Sequence, residues 1–166
     1  MSRFVSEALG KHDRKGFASG NERIDTYFRQ RVTQDVRRNY AKAFVLVERD
    51  SGVTAGFYTL SSHSIVLADL AESLVAGLPR YPSVPVVLIG WMGRDQRFRG
   101  QGIGTLLLAD ALRRLKDAPT GAHAICADAI DDAAAAFYRE HQFKPVSPHQ
   151  PMRFYVPVGT VAQLFE

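Results

Sequence analysis

The segment VPVVLIGWMGRDQRFRGQGIGTLLLADALRRL, Val84 to Leu115, constrains the fold more than any other part of the chain. It opens apolar, as a buried strand, with Gly90 and Gly93 inside it where another backbone or a ligand comes close. It ends with Ile103, Leu106, Leu107, Ala111, Leu112 and Leu115 on the apolar face of an amphipathic helix. A buried strand that turns directly into such a helix hides both apolar surfaces only in a layered α/β or α+β arrangement. Between strand and helix, Gly100, Gly102 and Gly104 occupy every second position. Glycine inside an element costs about 0.5–1 kcal/mol relative to alanine, so the cluster calls for a reason, and a ligand pressed against the backbone is one.

The flanking segments extend the same architecture. SGNERIDTYFRQRVTQDVRRN reads as a helical region, with Ser19 and Glu22 as a capping box and Asn21 as an equally good cap. Ile24, Tyr27, Phe28, Val32 and Val36 share its apolar face. AFVLVERDSGVTAGFYTLSS is two strands joined at Asp50-Ser51-Gly52. ADLAESLVAGLPRYPSVP is a short helix followed by a proline-punctuated loop. AHAICADAI is a strand, DDAAAAFYREHQF a helix opened by Asp131 or Asp132, and MRFYVPV a last strand. The result is a mixed sheet with helices between its strands, within one domain of 166 residues.

Composition narrows the class. At 46% hydrophobic and 23% charged the chain is ordinary for a globular protein, and no apolar run approaches the roughly 18 residues of a membrane span. The first residues lack a signal-peptide core, so the expected location is cytoplasmic. The single cysteine, Cys126, leaves no disulfide framework or cysteine metal cluster and reads as a small core residue. The net charge is +4. Its distribution is uneven: Arg23, Arg29, Arg31, Arg37, Arg38 and Lys42 form one basic cluster, and Arg94, Arg97, Arg99, Arg113, Arg114 and Lys116 another. Such clusters attract a phosphorylated cofactor or a nucleic acid, or simply solvate a helix face.

Known phosphate-binding patterns test the glycines. A Walker loop requires lysine after its last glycine, and Thr105 follows Gly104. A dinucleotide fingerprint requires a third glycine where Thr105 stands, and an acidic residue about twenty positions on, where Pro119 to Ala124 lie. What remains is Arg99-x-x-Gly102-x-Gly104 between a strand and a helix. The first amides of a helix have no intrahelical partner and sit at the positive end of its dipole. Glycines let them close on a pyrophosphate, with Arg97 and Arg99 placed to add charge-assisted bonds.

This pattern, followed by a strand and AAAAFYREHQF, resembles the GNAT superfamily of acetyl-CoA-dependent N-acetyltransferases. FASGNERIDTYFR, YPSVPVVLIGWMGRDQRFRGQGIGTLLLADALRR and DAIDDAAAAFYREHQFKPVSPHQPMRFYVPV together resemble one branch, the GNAT toxins of bacterial type II toxin–antitoxin modules, which acetylate the amino acid on charged tRNA. The resemblance implies a GNAT fold: a mixed central sheet with a splayed strand pair and helices on both faces. It implies acetyl-CoA as cosubstrate and no metal. Met92, Gly93 and Arg94 would lie along the pantetheine arm, and Arg99, Gly100, Gln101, Gly102, Ile103, Gly104 and Thr105 would hold the pyrophosphate. Tyr138 would be the general acid, protonating the departing thiolate, with Ala133 to Ala136 leaving room for the arm.

Two departures from the family pattern stand out. Many members carry asparagine where this chain has Asp131, so Asp131 caps its helix but brings no amide donor to the cofactor. Gln142 stands where the family places glycine, a strained position if the backbone there is left-handed. No general base stands out: Asp128, Asp131 and the five histidines have no partner at a telling spacing. An α-amine, with a reference pKa of about 7.7–8.0, needs less help than a lysine near 10.4, which favours an α-amine acceptor.

The expected function is therefore acetylation of the α-amine of aminoacyl-tRNA, blocking translation, with Arg29, Arg37, Arg38 and Lys42 on the RNA backbone. A cognate antitoxin and a homodimer follow from the resemblance alone. The competing readings are an acetyltransferase for a small amine or protein N-terminus, and a catalytically inactive acyl-CoA sensor or nucleic-acid-binding module. Trp91 reads equally as core or as pocket wall.

Overall fold

The computed structural model describes residues 2–162. Its strands are β1 Phe4–Ala8, β2 Lys42–Glu48, β3 Thr54–Val66, β4 Ser83–Arg94, β5 Ala124–Asp128, β6 Lys144–Ser147 and β7 Gln150–Pro157. Its α-helices are α1 Glu22–Thr26, α2 Val32–Arg37, α3 Glu72–Val75, α4 Ile103–Asp117, α5 Asp132–Glu140 and α6 Val158–Ala162. The strands are hydrogen-bonded in the order β1-β2-β3-β4-β5-β7-β6. β4 and β5 run parallel, whereas β1/β2, β2/β3, β5/β7 and β6/β7 are antiparallel, so the sheet is mixed as expected.

The chain divides into two compact units. One takes in residues up to Ser61 together with Gly90–Ala111, the other Ser62–Ile89 and the residues from Leu112 on. In the first unit, a Cβ on Gly56 would fall 2.9 Å from Leu107 Cδ1 and 3.0 Å from Ile103 Cγ2 of α4. A Cβ on Gly93 would fall 2.7 Å from Ile24 Cγ2 of α1. Helices therefore cover both faces of this part of the sheet, and the two glycines let them approach. Phe17, Phe28 and Phe57 form the aromatic core beside Gly93, with the Phe28 and Phe57 rings stacked at 4.0 Å.

The first helical region is not continuous. Asn21 caps it, its side chain accepting from the amides of Arg23 and Ile24, while Ser19 bonds Asn21 rather than forming the expected box. Tyr27–Arg31 is a π-helical turn between α1 and α2. Within this turn the Phe28 carbonyl accepts from Arg14 Nη1 at 2.9 Å. Ile24, Tyr27, Phe28 and Val32 are buried, so the apolar face holds through the irregularity.

In the second unit, Ile65, Leu70, Val84, Val86, Ala124, Cys126, Val146 and Tyr155 form a core on one sheet face, over which the Leu67–Leu78 segment packs. On the other face α5 lies against β7 through Tyr138 and Phe154. Pairing of β4 with β5 runs from Val86↔Ala124 to Ile89↔Ala127. β4 continues to Arg94, beyond the end of this ladder. Strands β1 and β6 have no counterpart in the sequence reading: both are short, and β6 contains Pro145.

Candidate active site

The glycine loop lies wholly in the first unit. Asp95, the residue after β4, is nearly fully buried and organises the turn that follows. It accepts from the backbone amides of Ala18 (3.1 Å) and Arg97 (2.8 Å), and from Arg97 Nε (2.8 Å) and Nη2 (3.0 Å). Burial alone would raise its pKa, but the Arg97 bonds and the two amides outweigh that and hold the carboxyl below its usual range. Arg97 is thereby committed to Asp95, contrary to the expectation that it adds charge to an anion site. Arg94 and Arg99 have no ion-pair partner among the described residues.

Gly100 (φ 76°) and Gly102 (φ 73°) are both left-handed, and a Cβ on either would meet nothing within 4 Å. Glycine is required there by backbone conformation, and the space beside it is open. Gly104 lies inside α4 with no such demand. Leu106 N bonds Gly102 O where the helix opens, so the amides ahead of it, at Ile103 and Gly104, point out of the helix end. The geometry suits a pyrophosphate: a positive helix terminus, exposed amides and room for a ligand against the chain. The Gln101 side chain is tied to Arg3, whose Nη1 donates to Oε1 at 2.6 Å, and its amide donates to the Phe98 carbonyl at 3.3 Å, so Gln101 shapes the turn. Gly93 is explained by packing against α1, with its carbonyl close to Gly56.

Trp91, one residue before Met92, stacks on Tyr27 with ring centroids 4.3 Å apart and planes 7° apart. Tyr27 Oη donates to Asp35 Oδ2 at 2.9 Å. Burial, then Asp35, pushes the phenol well above its ordinary pKa. The π-helical turn aims Tyr27 at the strand, and Trp91, only partly covered, closes the end of this aromatic wall.

The tyrosine expected to act as the acid lies in the second unit. Asp131 caps α5, Oδ1 accepting from Ala134 N at 2.8 Å, which settles the choice between Asp131 and Asp132. Tyr138 is buried, with its ring against Phe143 (5.2 Å) and Phe154 (5.9 Å). Gln142 takes φ 69°, the left-handed conformation anticipated for a glycine position. This termination folds the Phe143 amide back onto the Tyr138 carbonyl at 3.0 Å, fixing the tyrosine by backbone as well as by ring packing. Burial, and secondarily the Asp128 charge, raise its pKa above the ordinary tyrosine value, so the phenol stays protonated. Its hydroxyl has no hydrogen-bond partner among the described residues.

Sequence reasoning missed one cluster. His63, Asp128 and Arg153 are spread over ninety positions, yet Arg153 bridges the other two by hydrogen bonds. Only the opposition of Asp128 and Arg153 on antiparallel strands brings them together, and that register is invisible before pairing is known. Cys126 is fully buried, as expected, and burial pushes its thiol up to about 12.

Of the basic residues, Arg37 and Arg38 border a groove of about 440 Å³ together with Gln30, Thr33 and Gln34. Neither has an ion-pair partner among the described residues, and Lys42 is exposed at the start of β2. Arg29 is different: its guanidinium donates to the Phe17 carbonyl and pins the preceding loop. No group of three or more metal-ligating side chains occurs among the described residues, and no described helix is long and apolar enough to cross a membrane.

Residues 11–143 match the family model described as "Acetyltransferase (GNAT) family". A probable toxin TacT of Sinorhizobium fredii (strain NBRC 101917 / NGR234) is 32% identical over 163 residues, 93% of this chain and 90% of that protein. A tRNA-acetylating toxin of Mycobacterium tuberculosis (strain ATCC 25618 / H37Rv) is 34% identical over 142 residues, covering 84% and 82%. Among solved structures, AtaT complexed with acetyl-methionyl-tRNAfMet superposes with a TM-score of 0.85 at 23% identity, covering 98% of this chain and 99% of that one. A mutant AtaT toxin bound to the C-terminus of the antitoxin AtaR gives 0.82 at 20% identity, with 99% of each chain covered. The glycine-loop geometry, the mixed sheet and the sequence match agree: the chain belongs to the GNAT family of acetyltransferases.

Proposed function

We infer that this protein transfers an acetyl group from acetyl-CoA to the α-amine of aminoacyl-tRNA and so blocks translation. The structural observation that carries the reading is the pair of left-handed glycines, Gly100 and Gly102, facing open space at the N-terminus of α4. The acceptor class is supported by the 34% identity to a tRNA-acetylating toxin over 84% of the chain.

Acetyl-CoA supplies an activated acyl group as its thioester. The loop from Arg99 to Thr105 holds its pyrophosphate against the amides of Ile103 and Gly104 at the start of α4, with the Arg99 guanidinium adjoining, and Met92, Gly93 and Arg94 run along the pantetheine arm. The Asp131 side chain contributes by capping α5 rather than by contacting the cofactor. Tyr138 holds its proton at Oη and delivers it to the departing sulfur. A phenol kept neutral by burial suits an acid that must be loaded before each turnover. Arg37, Arg38 and Lys42 contact RNA phosphates, and Arg29 adds charge to the same face while holding Phe17 in place.

The chain works as one acetyltransferase domain in the cytoplasm, as a homodimer, and is held in check by a cognate antitoxin. The last point is supported by the AtaT relative seen with the C-terminus of its antitoxin. The deciding experiment is incubation with labelled acetyl-CoA and bulk aminoacyl-tRNA, with deacylated tRNA and Tyr138→Phe as controls. Label on the amino acid of charged tRNA alone supports the reading. Transfer to polyamines or peptides, with none to charged tRNA, replaces it by a small-amine or N-terminal acetyltransferase.

A further inference from the structure

In the second unit a polar network stands where β5 ends. Arg153 lies directly opposite Asp128, the last residue of β5. Its Nε donates to Asp128 Oδ1 at 2.7 Å and its Nη2 to Oδ2 at 2.9 Å, a two-pronged clamp. Its Nη1 lies 3.0 Å from His63 Nε2. A guanidinium can only donate, so His63 Nε2 accepts, and the imidazole is the neutral tautomer with its proton on Nδ1. Both partners hold the Arg153 plane in one orientation.

The clamp leaves donors unused. A guanidinium has five N–H groups, and three are taken by Asp128 and His63. The other two, and the Nδ1–H of His63, have no partner among the described residues. His63 Nδ1 is not sealed in: Tyr155 Oη is the only fully buried partnerless side-chain N or O among those residues. The Arg153 and Asp128 side chains are 28% and 40% exposed. The network also sits at the carboxyl end of a parallel strand, just past the last β4–β5 pair at Ile89↔Ala127. Ligands of open α/β sheets gather at such ends.

The chemistry of the cluster defines what it can hold. The unused groups of Arg153 and His63 are donors, so they require an acceptor atom. The charges of Arg153 and Asp128 cancel, and the carboxylate would repel a phosphate brought beside it, so a neutral, dipolar oxygen fits best. The part-exposed carboxylate of Asp128 retains lone pairs for an N–H. A carbonyl oxygen with an amine on the adjacent carbon is an α-aminoacyl group; a lysine side chain or a polyamine has the amine without the carbonyl.

We propose that Arg153, clamped by Asp128 and His63, anchors the acceptor by donating to the carbonyl oxygen of its aminoacyl ester, with Asp128 receiving the N–H of the amine to be acetylated. This rests on the aminoacyl-tRNA reading above and explains how an α-amine is chosen without a dedicated base.

The test is steady-state kinetics on aminoacyl-tRNA, with acetyl-CoA affinity measured separately by calorimetry. Arg153→Gln should raise the KM for aminoacyl-tRNA tenfold or more while acetyl-CoA affinity stays within twofold. Arg153→Lys should not restore it, because an ammonium cannot hold the clamp and still donate outward. His63→Leu leaves the Arg153–Asp128 pair intact, so it carries the test if Arg153→Gln does not fold, and it should raise the same KM severalfold. His63→Gln, whose amide oxygen still accepts from Arg153, should stay near wild type. An unchanged KM in a folded Arg153→Gln or in His63→Leu overturns this inference alone. Wild-type protein that binds acetyl-CoA but does not acetylate aminoacyl-tRNA overturns the functional reading and this inference with it.

Discussion

Among single residues, burial holds protons on Tyr138 and Cys126. The Tyr138 ring is enclosed by Phe143 and Phe154, yet its hydroxyl has no partner among the described residues. Removing that hydroxyl leaves no buried group unsatisfied, so Tyr138→Phe should keep its thermal midpoint. It should lose roughly a hundredfold in kcat, the lower range for a positioned proton donor. A folded Tyr138→Phe enzyme with wild-type turnover would remove the tyrosine from the reaction. Cys126 shows the same protection without a function. Its thiol is pushed from 9.0 to about 12 by burial. A pKa raised in the folded state contributes stability that is complete below the unfolded value and disappears as pH rises through the folded one. Thermal midpoints should therefore fall between pH 9 and about 12, and Cys126→Ala should fall less steeply over that interval. Parallel slopes for the two proteins would count against burial as the cause.

Among elements, the junction of β4 with α4 is the most constrained. Asp95 gathers two amides and a guanidinium to set the turn, and the left-handed glycines then lead into the helix. Gly102→Ala should cost about 1–2 kcal/mol, because a side chain disfavours the left-handed region. It should also weaken acetyl-CoA binding at least tenfold by crowding the amides, read by calorimetry beside a melting curve. Gly104→Ala is the control: its backbone is helical, so alanine should be neutral or stabilising for the fold. If acetyl-CoA binds Gly102→Ala as tightly as wild type, the loop does not hold the pyrophosphate. The π-helical turn is the second constrained element. Within it Arg14 donates to the Phe28 carbonyl and Tyr27 stacks on Trp91, and such turns recur at functional sites.

Across the whole molecule, the net charge of +4 is deployed unevenly. Arg97 and Arg153 are neutralised by Asp95 and Asp128, and Arg29 holds a carbonyl. Arg37, Arg38 and Lys42 remain unpaired among the described residues, two of them along a groove. With these three on phosphates, the KM for aminoacyl-tRNA should rise roughly 20–40-fold between about 50 and 200 mM salt. Replacing Arg37 and Arg38 together by Gln should lower the slope of log KM against log salt by about 2. A response already flat in the wild type would remove RNA from this face.

Much of this was legible in one dimension. The buried strand, the amphipathic helix and the glycines between them are written in local spacing, because period and backbone freedom are properties of adjacent residues. Gln142 was recognisable as a candidate left-handed position only through the family resemblance, which places glycine there, and the backbone takes that conformation. The apolar face from Ile24 to Val32 was readable too, but the π-helical turn within it was not, since the apolar spacing does not distinguish an α from a π turn over five residues. Leu106, counted on the apolar face of its helix, is 40% exposed, while Leu108 is buried, because the neighbours of α4 and not its period choose the buried stripe. The fate of each charge was beyond the sequence altogether. Whether an arginine meets a carboxylate, a carbonyl or a ligand depends on which strand lies opposite, and strand register is set by long-range pairing. Local spacing was enough to dictate the layered fold and the glycine turn ahead of α4. Which polar groups stay available to a ligand was settled only by long-range folding, because that alone brings His63, Asp128 and Arg153 to one strand end.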